Sequence, residues 1–300
     1  MMSRAVLEPA CLRRGDARAL ADVMIARLEK EADEASIDRW VALAETASAW
    51  LTPTTVRSTS YQKLWRLRFF TQTLELPTLN LIEQLIGSLR CDFVDVGAHV
   101  GYFSIAAAAA GARSVLAIEM HEPNWRLLQA NVPSATCLRA AAGTEEGTAQ
   151  YFVGKGHSNH SLAVRGDTTE QRDTTQLVTL DGLRNGALNA PYLVKIDVQG
   201  WEAEVLRGHN DGLASGAPII IFEAERNDGG HGFDDVYDHA FALLKSHHYR
   251  TFAIEGSRLV EIDGAGDPFV ASLPTSSNIL AVAAERFGTF EAALFDRRPT

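Results

Sequence analysis

The sequence predicts a doubly wound α/β fold: a seven-stranded sheet with its last strand antiparallel, behind a helical N-terminal region. Three observations carry this. From Cys91 onward, short apolar runs alternate with helical patterns, the texture of parallel strands covered on both faces. Seven such runs occur, and the last two have no helical pattern between them, which permits an antiparallel return. Before Cys91, apolar side chains recur instead at spacings of three and four, the period of a helix.

Two regions follow. Residues 1–90 form a helical cap region, with helical patterns over Ala17–Ala32, Asp38–Leu51 and Leu79–Leu89, and their apolar faces could pair two copies into a homodimer. Residues 91–300 form the sheet domain. Its strands are expected at Phe93–Val96, Ser114–Glu119, Ala135–Arg139, Tyr192–Asp197, Pro218–Glu223, Tyr249–Ile254 and Asn278–Val282. Helices are expected at Tyr102–Ala110, Asn124–Ala130, Trp201–Arg207 and Asp235–Ser246. An insertion at 144–176 contains short extended pieces, Ala149–Val153 and Gln176–Leu180, and reads as a β-hairpin carrying a polar loop. Asp181, just beyond, is expected to cap the helix that follows it.

Composition bounds the function. The apolar fraction is 46% and the charged fraction 22%, ordinary for a globular protein. A net charge of −10 gives no overall attraction for nucleic acid or an anionic membrane. No signal peptide or membrane span is expected, which makes the cytoplasm the default location. Three scattered cysteines fit neither a disulfide framework nor a zinc site.

Phe93–Tyr102 reads as strand, tight turn, then helix start. In such sheets ligands bind at the carboxyl ends of strands. Gly97 would allow close approach or positive φ, Gly101 would let the helix start pack near a ligand, and Ala98, His99 and Tyr102 share the turn. The spacing Asp-x-Gly-x-x-x-Gly from Asp95 differs from the dinucleotide pattern, where bare backbone amides hold a pyrophosphate. A carboxylate at Asp95 suits a cation better, and the methionine part of S-adenosylmethionine carries an ammonium. Glu119, 24 residues after Asp95, ends the next strand, where an acid can accept both ribose hydroxyls. Ala140–Gly143, after the third strand, is small enough to lie along an adenine ring, with Ala141 at its centre.

Leu193–Glu202 is a second strand–turn–helix unit. Alternation puts Lys195 and Asp197 on one face, and a buried strand carries such charges only when they are paired or functional. The chain here resembles the FkbM-type S-adenosylmethionine-dependent methyltransferases. The resemblance runs from Phe93 to Glu223 and rests on DVGAHVGYFS (Asp95–Ser104), EMHEPN (Glu119–Asn124), VTLDGL (Val178–Leu183), VKIDVQGWEAEVLRG (Val194–Gly208) and IIIFE (Ile219–Glu223). It implies a Rossmann-like methyltransferase sheet, S-adenosylmethionine as cofactor, and O-methylation of a small polar, sugar-containing or natural-product substrate. Gln199 stands where that family usually has Glu. Met120, His121 and Glu122 separate Glu119 from Pro123, so Glu122 is a second candidate for the ribose.

Methyl transfer to a hydroxyl requires a positioned nucleophile and a proton acceptor. Asp197, at its strand end, is the leading base, with pairing to Lys195 or to a helix amide as its alternative. Glu223 ends the next strand and could line the same cleft, with Glu225 beyond it. His160, in the insertion loop with His157, is a second candidate for base or substrate contact. No metal is expected, since no paired-acid or His-x-x-x-His spacing occurs. An N-methyltransferase is the near rival and an NAD-dependent oxidoreductase a more distant one.

Overall fold

The computed structural model describes residues 6–7, 25, 75–154, 160–162, 168–184, 188–225, 237–256 and 258–295. The first part of the order is β1 (Val6–Leu7), α1 (Leu76–Leu89), β2 (Asp92–Val96), α2 (Tyr102–Ala109), β3 (Val115–Ile118), α3 (Glu122–Asn131), β4 (Thr136–Leu138) and β5 (Ala141–Ala142). Then come β6 (Gly147–Gly154), β7 (Thr168–Val178), α4 (Leu180–Arg184), β8 (Tyr192–Ile196), α5 (Glu202–Arg207), α6 (Asn210–Ala214) and β9 (Pro218–Glu225). The last are α7 (Asp238–Ser246), β10 (Tyr249–Glu255), β11 (Arg258–Ile262), β12 (Ser276–Ala283) and α8 (Phe287–Phe295).

Among the described residues, one nine-stranded sheet runs β1-β11-β10-β12-β9-β8-β2-β3-β4. Strands β4, β3, β2, β8 and β9 are parallel neighbours. β12 is antiparallel to both β9 and β10. All seven expected strands form, and the last is reversed as expected. The count of seven is corrected to nine, because β11 and β1 extend the far edge. Glu255 and Arg258 are cross-strand partners, so only residues 256–257 join β10 to β11. That Gly-Ser connection, flanked by Glu255 and Arg258, is a hairpin signal between two apolar runs.

Buried on both sides, β2 and β8 are apolar except at Asp92, Asp95 and Lys195. Phe93 and Leu193 face the core under α1, α2 and α8, with Ile82, Ala106 and Phe290. Val94, Val96, Tyr192, Val194 and Ile196 face the other core, with Leu206, Leu213 and Phe241 from α5–α7. The period of two thus fixes which side each polar exception takes: Asp95 and Lys195, register partners on adjacent strands, lie on the α1/α2 side.

The insertion forms the expected hairpin, β6 against β7, with β5 added in parallel to β7. Its extended part ends at Val178, not Leu180, which begins α4. Asp181 lies within α4 and caps a different helix from the one expected. Its carboxylate accepts the backbone N–H groups of Asp211 (2.7 Å) and Gly212 (2.9 Å) at the start of α6. The first turn of α4 is served instead by Thr179 Oγ1, which accepts the N–H of Gly182 at 3.0 Å. The expected helices Ala17–Ala32 and Asp38–Leu51, and pairing through them, lie outside the described residues. Leu79–Leu89 is helical and forms most of α1, which starts after Glu75 with a proline in its first turn, where the missing N–H has no intrahelical partner to lose.

Candidate functional site

A cavity of about 410 Å3 opens at the carboxyl ends of β2, β3, β8 and β9. Gly97, Ala98, His99, Tyr102, Glu119, Ala141, His160, Asp197 and Glu223 all line it. Asp95 and Gly101 do not; they shape it from behind.

In the first turn Gly97, His99 and Gly101 have φ of 79°, 53° and 95°. A Cβ on Gly97 would overlap the carbonyl oxygen of Asp197, so this glycine lets the two loops touch. A Cβ on Gly101 would sit 2.9 Å from side-chain carbons of Leu128 and Val132. Gly101 therefore serves the packing of α2 on α3. Asp95 is 2% exposed and accepts a hydrogen bond from Ser104 Oγ at 2.6 Å. Burial lifts its carboxyl to about 6, with Ser104 and Lys195 restraining the rise.

Glu119 accepts the backbone N–H of His99 on Oε2 (2.9 Å) and that of His121 on Oε1 (2.7 Å). These bonds hold the carboxylate in the cavity wall with lone pairs to spare, since two oxygens offer about four acceptor sites. Burial raises its pKa to about 7 against the two amides that favour the charged form. Glu122 instead lies on the outer side of α3, bonded to Arg126 and Arg139. Of the two ribose candidates, only Glu119 faces the cavity.

The second turn assembles acids around one buried cation. Lys195 is fully buried; its Nζ lies 3.4 Å from Asp197 Oδ2 and 5.2 Å from the centroid of the Phe103 ring. Its charge is held on, despite burial, by Asp197, Glu75, Glu223 and Asp95. The Gln199 amide donates to Asp197 Oδ1 (3.1 Å) and to Glu223 Oε2 (3.0 Å). Ser276 Oγ donates to Glu223 Oε1, and Asn278 donates to Glu75 Oε2 at 2.6 Å. Burial pushes both acids of the pair upward, but Lys195 and hydrogen bonds hold Asp197 below its usual value. Burial and the Asp197 charge leave Glu223 well above its own. Asp197 is thus the more readily ionised member of the pair and Glu223 the more readily protonated. The turn itself is folded by Glu202, whose carboxyl accepts the N–H groups of Val198 (3.1 Å) and Gly200 (3.0 Å).

The insertion closes one wall. His160 stacks on His121 with ring centroids 3.8 Å apart, and His121 Nδ1 meets Tyr151 Oη at 3.2 Å. The next residue, Ser161, donates to the carbonyl of Gln199 at 2.8 Å, tying the hairpin loop to the second turn. His157 lies outside the described residues. Trp201 also lines the cavity, and its indole N–H is buried without a hydrogen-bond partner. Glu75, Ser161, Gln199, Trp201, Ser276 and Asn278 were not predicted site residues. Only Gln199 and Trp201 carried a signal, by sitting inside the Asp197 motif. Among the described residues, no group of three or more His, Cys, Asp or Glu side chains is placed to hold a metal, and no helix is long and apolar enough to cross a membrane.

These features define an α/β protein with a nucleoside-sized pocket at its strand ends and an amide-bridged acid pair at one end of it. The donor set fits S-adenosylmethionine: a carboxylate for the ribose, a small apolar wall for a base, and acids for a cationic sulfonium and ammonium. The chain belongs to the methyltransferase FkbM domain family, whose model matches residues 95–251, more than half of the sequence. Among solved structures it is similar to the FkbM methyltransferase of Methylobacillus flagellatus, at 17% identity and a TM-score of 0.39, over 82% of this chain and 60% of that one. It is also similar to a putative S-adenosylmethionine-dependent methyltransferase from Listeria monocytogenes, at 12% identity and 0.39, over 69% and 97%. A third is precorrin-6y C5,15-methyltransferase from Geobacter metallireducens, at 14% and 0.38, over 70% and 87%. The chain thus spans 60% of the length of the Methylobacillus protein. No curated protein sequence matches it.

Proposed function

We propose that this protein is a cytoplasmic S-adenosylmethionine-dependent methyltransferase that modifies a hydroxyl of a small polar, sugar-containing or natural-product acceptor. The observation that carries this is the Asp197–Glu223 pair, bridged by the Gln199 amide, in the cavity that also presents Glu119. When bound, the cofactor supplies an electrophilic methyl group on a sulfonium. Glu119 accepts the ribose hydroxyls, and Ala141 with its neighbours backs the base. Asp197, kept ionised by Lys195, takes the proton of the acceptor hydroxyl. Glu223, fixed by Gln199 and Ser276, holds the acceptor beside Asp197. His160 and its stacked partner His121 shield that end from water. The low pKa of Asp197 makes it a modest base, so positioning supplies much of the rate.

A second reading, N-methylation, is favoured by the excess of carboxyls at the acceptor end. Glu75, Asp197, Glu223 and Glu225 line it against the single buried Lys195, a balance suited to an amine bound as a cation and deprotonated by Asp197.

The first test is thermal stabilisation by S-adenosylhomocysteine and by NAD in parallel. Stabilisation by NAD alone refutes the proposal. The second is a panel of hydroxyl and amine acceptors scored by S-adenosylhomocysteine release. With a productive acceptor, Asp197→Asn is expected to lower turnover at least a hundredfold, in the range of a lost general base, while binding S-adenosylhomocysteine normally. Undiminished turnover removes Asp197 from the base role.

A further inference from the structure

The indole of Trp201, a residue of the cavity wall, is a donor that no described residue answers. Its Nε1 is buried, without a partner. By contrast, the described chain's other indole, that of Trp125, donates to the carbonyl of Cys137 at 3.2 Å. A buried donor left unpaired costs about 1–3 kcal/mol, and native structures rarely leave one so. The edge of the ring lies against Gly143, whose Cβ, if present, would be 3.6 Å from Nε1. Ala140, Ala141 and Ala142, the residues just before, line the same cavity.

The chemistry of the missing partner follows from what surrounds it. An indole N–H only donates, so the ligand atom must accept. Ribose hydroxyls are drawn to Glu119, which only accepts when ionised and needs donors. A carboxylate is disfavoured in a cavity that already holds Glu119, Asp197 and Glu223. What remains is an uncharged acceptor in a flat apolar group, matched to the alanine wall. A purine ring nitrogen meets every condition.

We infer that Trp201 reads the nucleobase of the bound cofactor, its Nε1–H donating to a ring nitrogen of adenine. The inference rests on the assignment of this cavity to S-adenosylmethionine. Trp201 is thereby a binding residue, and the Asp197 turn recognises both ends of the ligand: acids toward the reacting end, the indole toward the base.

The test is calorimetric and needs no acceptor. Trp201→Phe keeps the ring and removes the donor, and is expected to bind S-adenosylhomocysteine roughly fivefold to tenfold more weakly than wild type, the loss typical of one hydrogen bond. One of the 1-deaza, 3-deaza and 7-deaza analogues should bind wild type more weakly by the same factor, yet bind Trp201→Phe as S-adenosylhomocysteine does. The inference is overturned if wild type accepts all three analogues equally, or if the analogue's loss persists undiminished in the variant. Failure of S-adenosylhomocysteine to bind wild type at all sinks the cofactor assignment and this inference with it. Should Trp201→Phe not fold, the indole N–H resonance is followed in 15N-labelled wild type, assigned by elimination with Phe at Trp40, Trp50, Trp65 and Trp125. It should move downfield with S-adenosylhomocysteine but not with the discriminating analogue; movement with all analogues alike overturns the inference.

Discussion

Gly97 and Asp197 meet backbone to backbone, with no room for a Cβ between them. The contact joins the two strand-end turns, and the N–H of Asp197 donates to the carbonyl of Val96 at 2.9 Å beside it.

Gly97→Ala should therefore fail twice, by overlap with a backbone atom and by a φ of 79° that costs a side chain about 1–3 kcal/mol. Little or no soluble protein, and no S-adenosylhomocysteine binding in what remains, is the expected result. Gly101→Ala meets only the side chains of Leu128 and Val132, which can shift, and should cost about 2–4 kcal/mol in urea unfolding, strain and overpacking combined. A Gly97→Ala protein as stable as wild type would contradict the geometry.

Cofactor affinity should depend on pH through Glu119, whose carboxyl sits at about 7 in the free protein. The ionised form is the one that accepts ribose hydroxyls. Affinity for S-adenosylhomocysteine should therefore rise from pH 6 to pH 8, and calorimetry near pH 7 in buffers of different ionisation enthalpy should show proton release. In Glu119→Gln both effects should vanish and affinity should fall at least tenfold. An affinity flat with pH in wild type would remove Glu119 from the binding step.

Stability of the free protein should run the other way. Burial raises Asp95 to about 6 and Glu119 and Glu202 to about 7, above their unfolded values of about 4. Folding then takes up protons, so stability is fullest below the unfolded pKa values and is lost as pH rises through 6–7. Asp92, Asp181 and Asp197 are shifted downward, and their contribution disappears as pH falls below about 4. Stability should peak near pH 5 and decline toward pH 8 by several kcal/mol, read as a falling melting temperature. A melting temperature that climbs steadily from pH 5 to pH 8 would contradict this.

Asp181 anchors α6 and also lies 3.0 Å from Nδ1 of His209, whose Nε2 meets Tyr192 Oη at 2.9 Å. Asp181→Ala leaves two helix-start amides without their acceptor and takes the carboxylate away from a buried imidazole. Losses of about 1–3 kcal/mol for an orphaned buried group and about 1 kcal/mol for a cap give an expected 2–4 kcal/mol in chemical denaturation. S-adenosylhomocysteine affinity should not change, since this cluster lies away from the cavity.

The parts of the fold visible in the sequence were those written in periodicity. Strands buried on two faces leave unbroken apolar runs, and all seven were legible, as was the hairpin in the insertion. β11 was hidden because its apolar run after the Gly256-Ser257 turn is only Leu259-Val260 before Glu261, too brief to stand out as a strand of its own. In the site, Glu119 and Asp197 were legible because each ends a strand. The role of Asp181 was misread because its partners, Asp211 and Gly212, are 30 residues away, and a cap looks local in sequence. At Gly101, spacing shows that the helix start packs closely but not that Leu128 and Val132 are what it packs against. Glu75, Ser276 and Asn278 left no signal, since only the antiparallel entry of β12 brings them beside Glu223.

That reversed strand also sets a schedule for synthesis. Once residue 225 has left the ribosome, both glycine-bearing turns exist, yet the Ile219–Phe222 edge of β9 has no neighbour on its outer side until β12 arrives. At about 5–20 residues per second the wait for residue 283 is about 3–12 s. Through that interval the nascent chain presents an open, strongly apolar strand. Production of this protein should consequently be more sensitive to translation rate and to chaperone supply than its finished stability suggests.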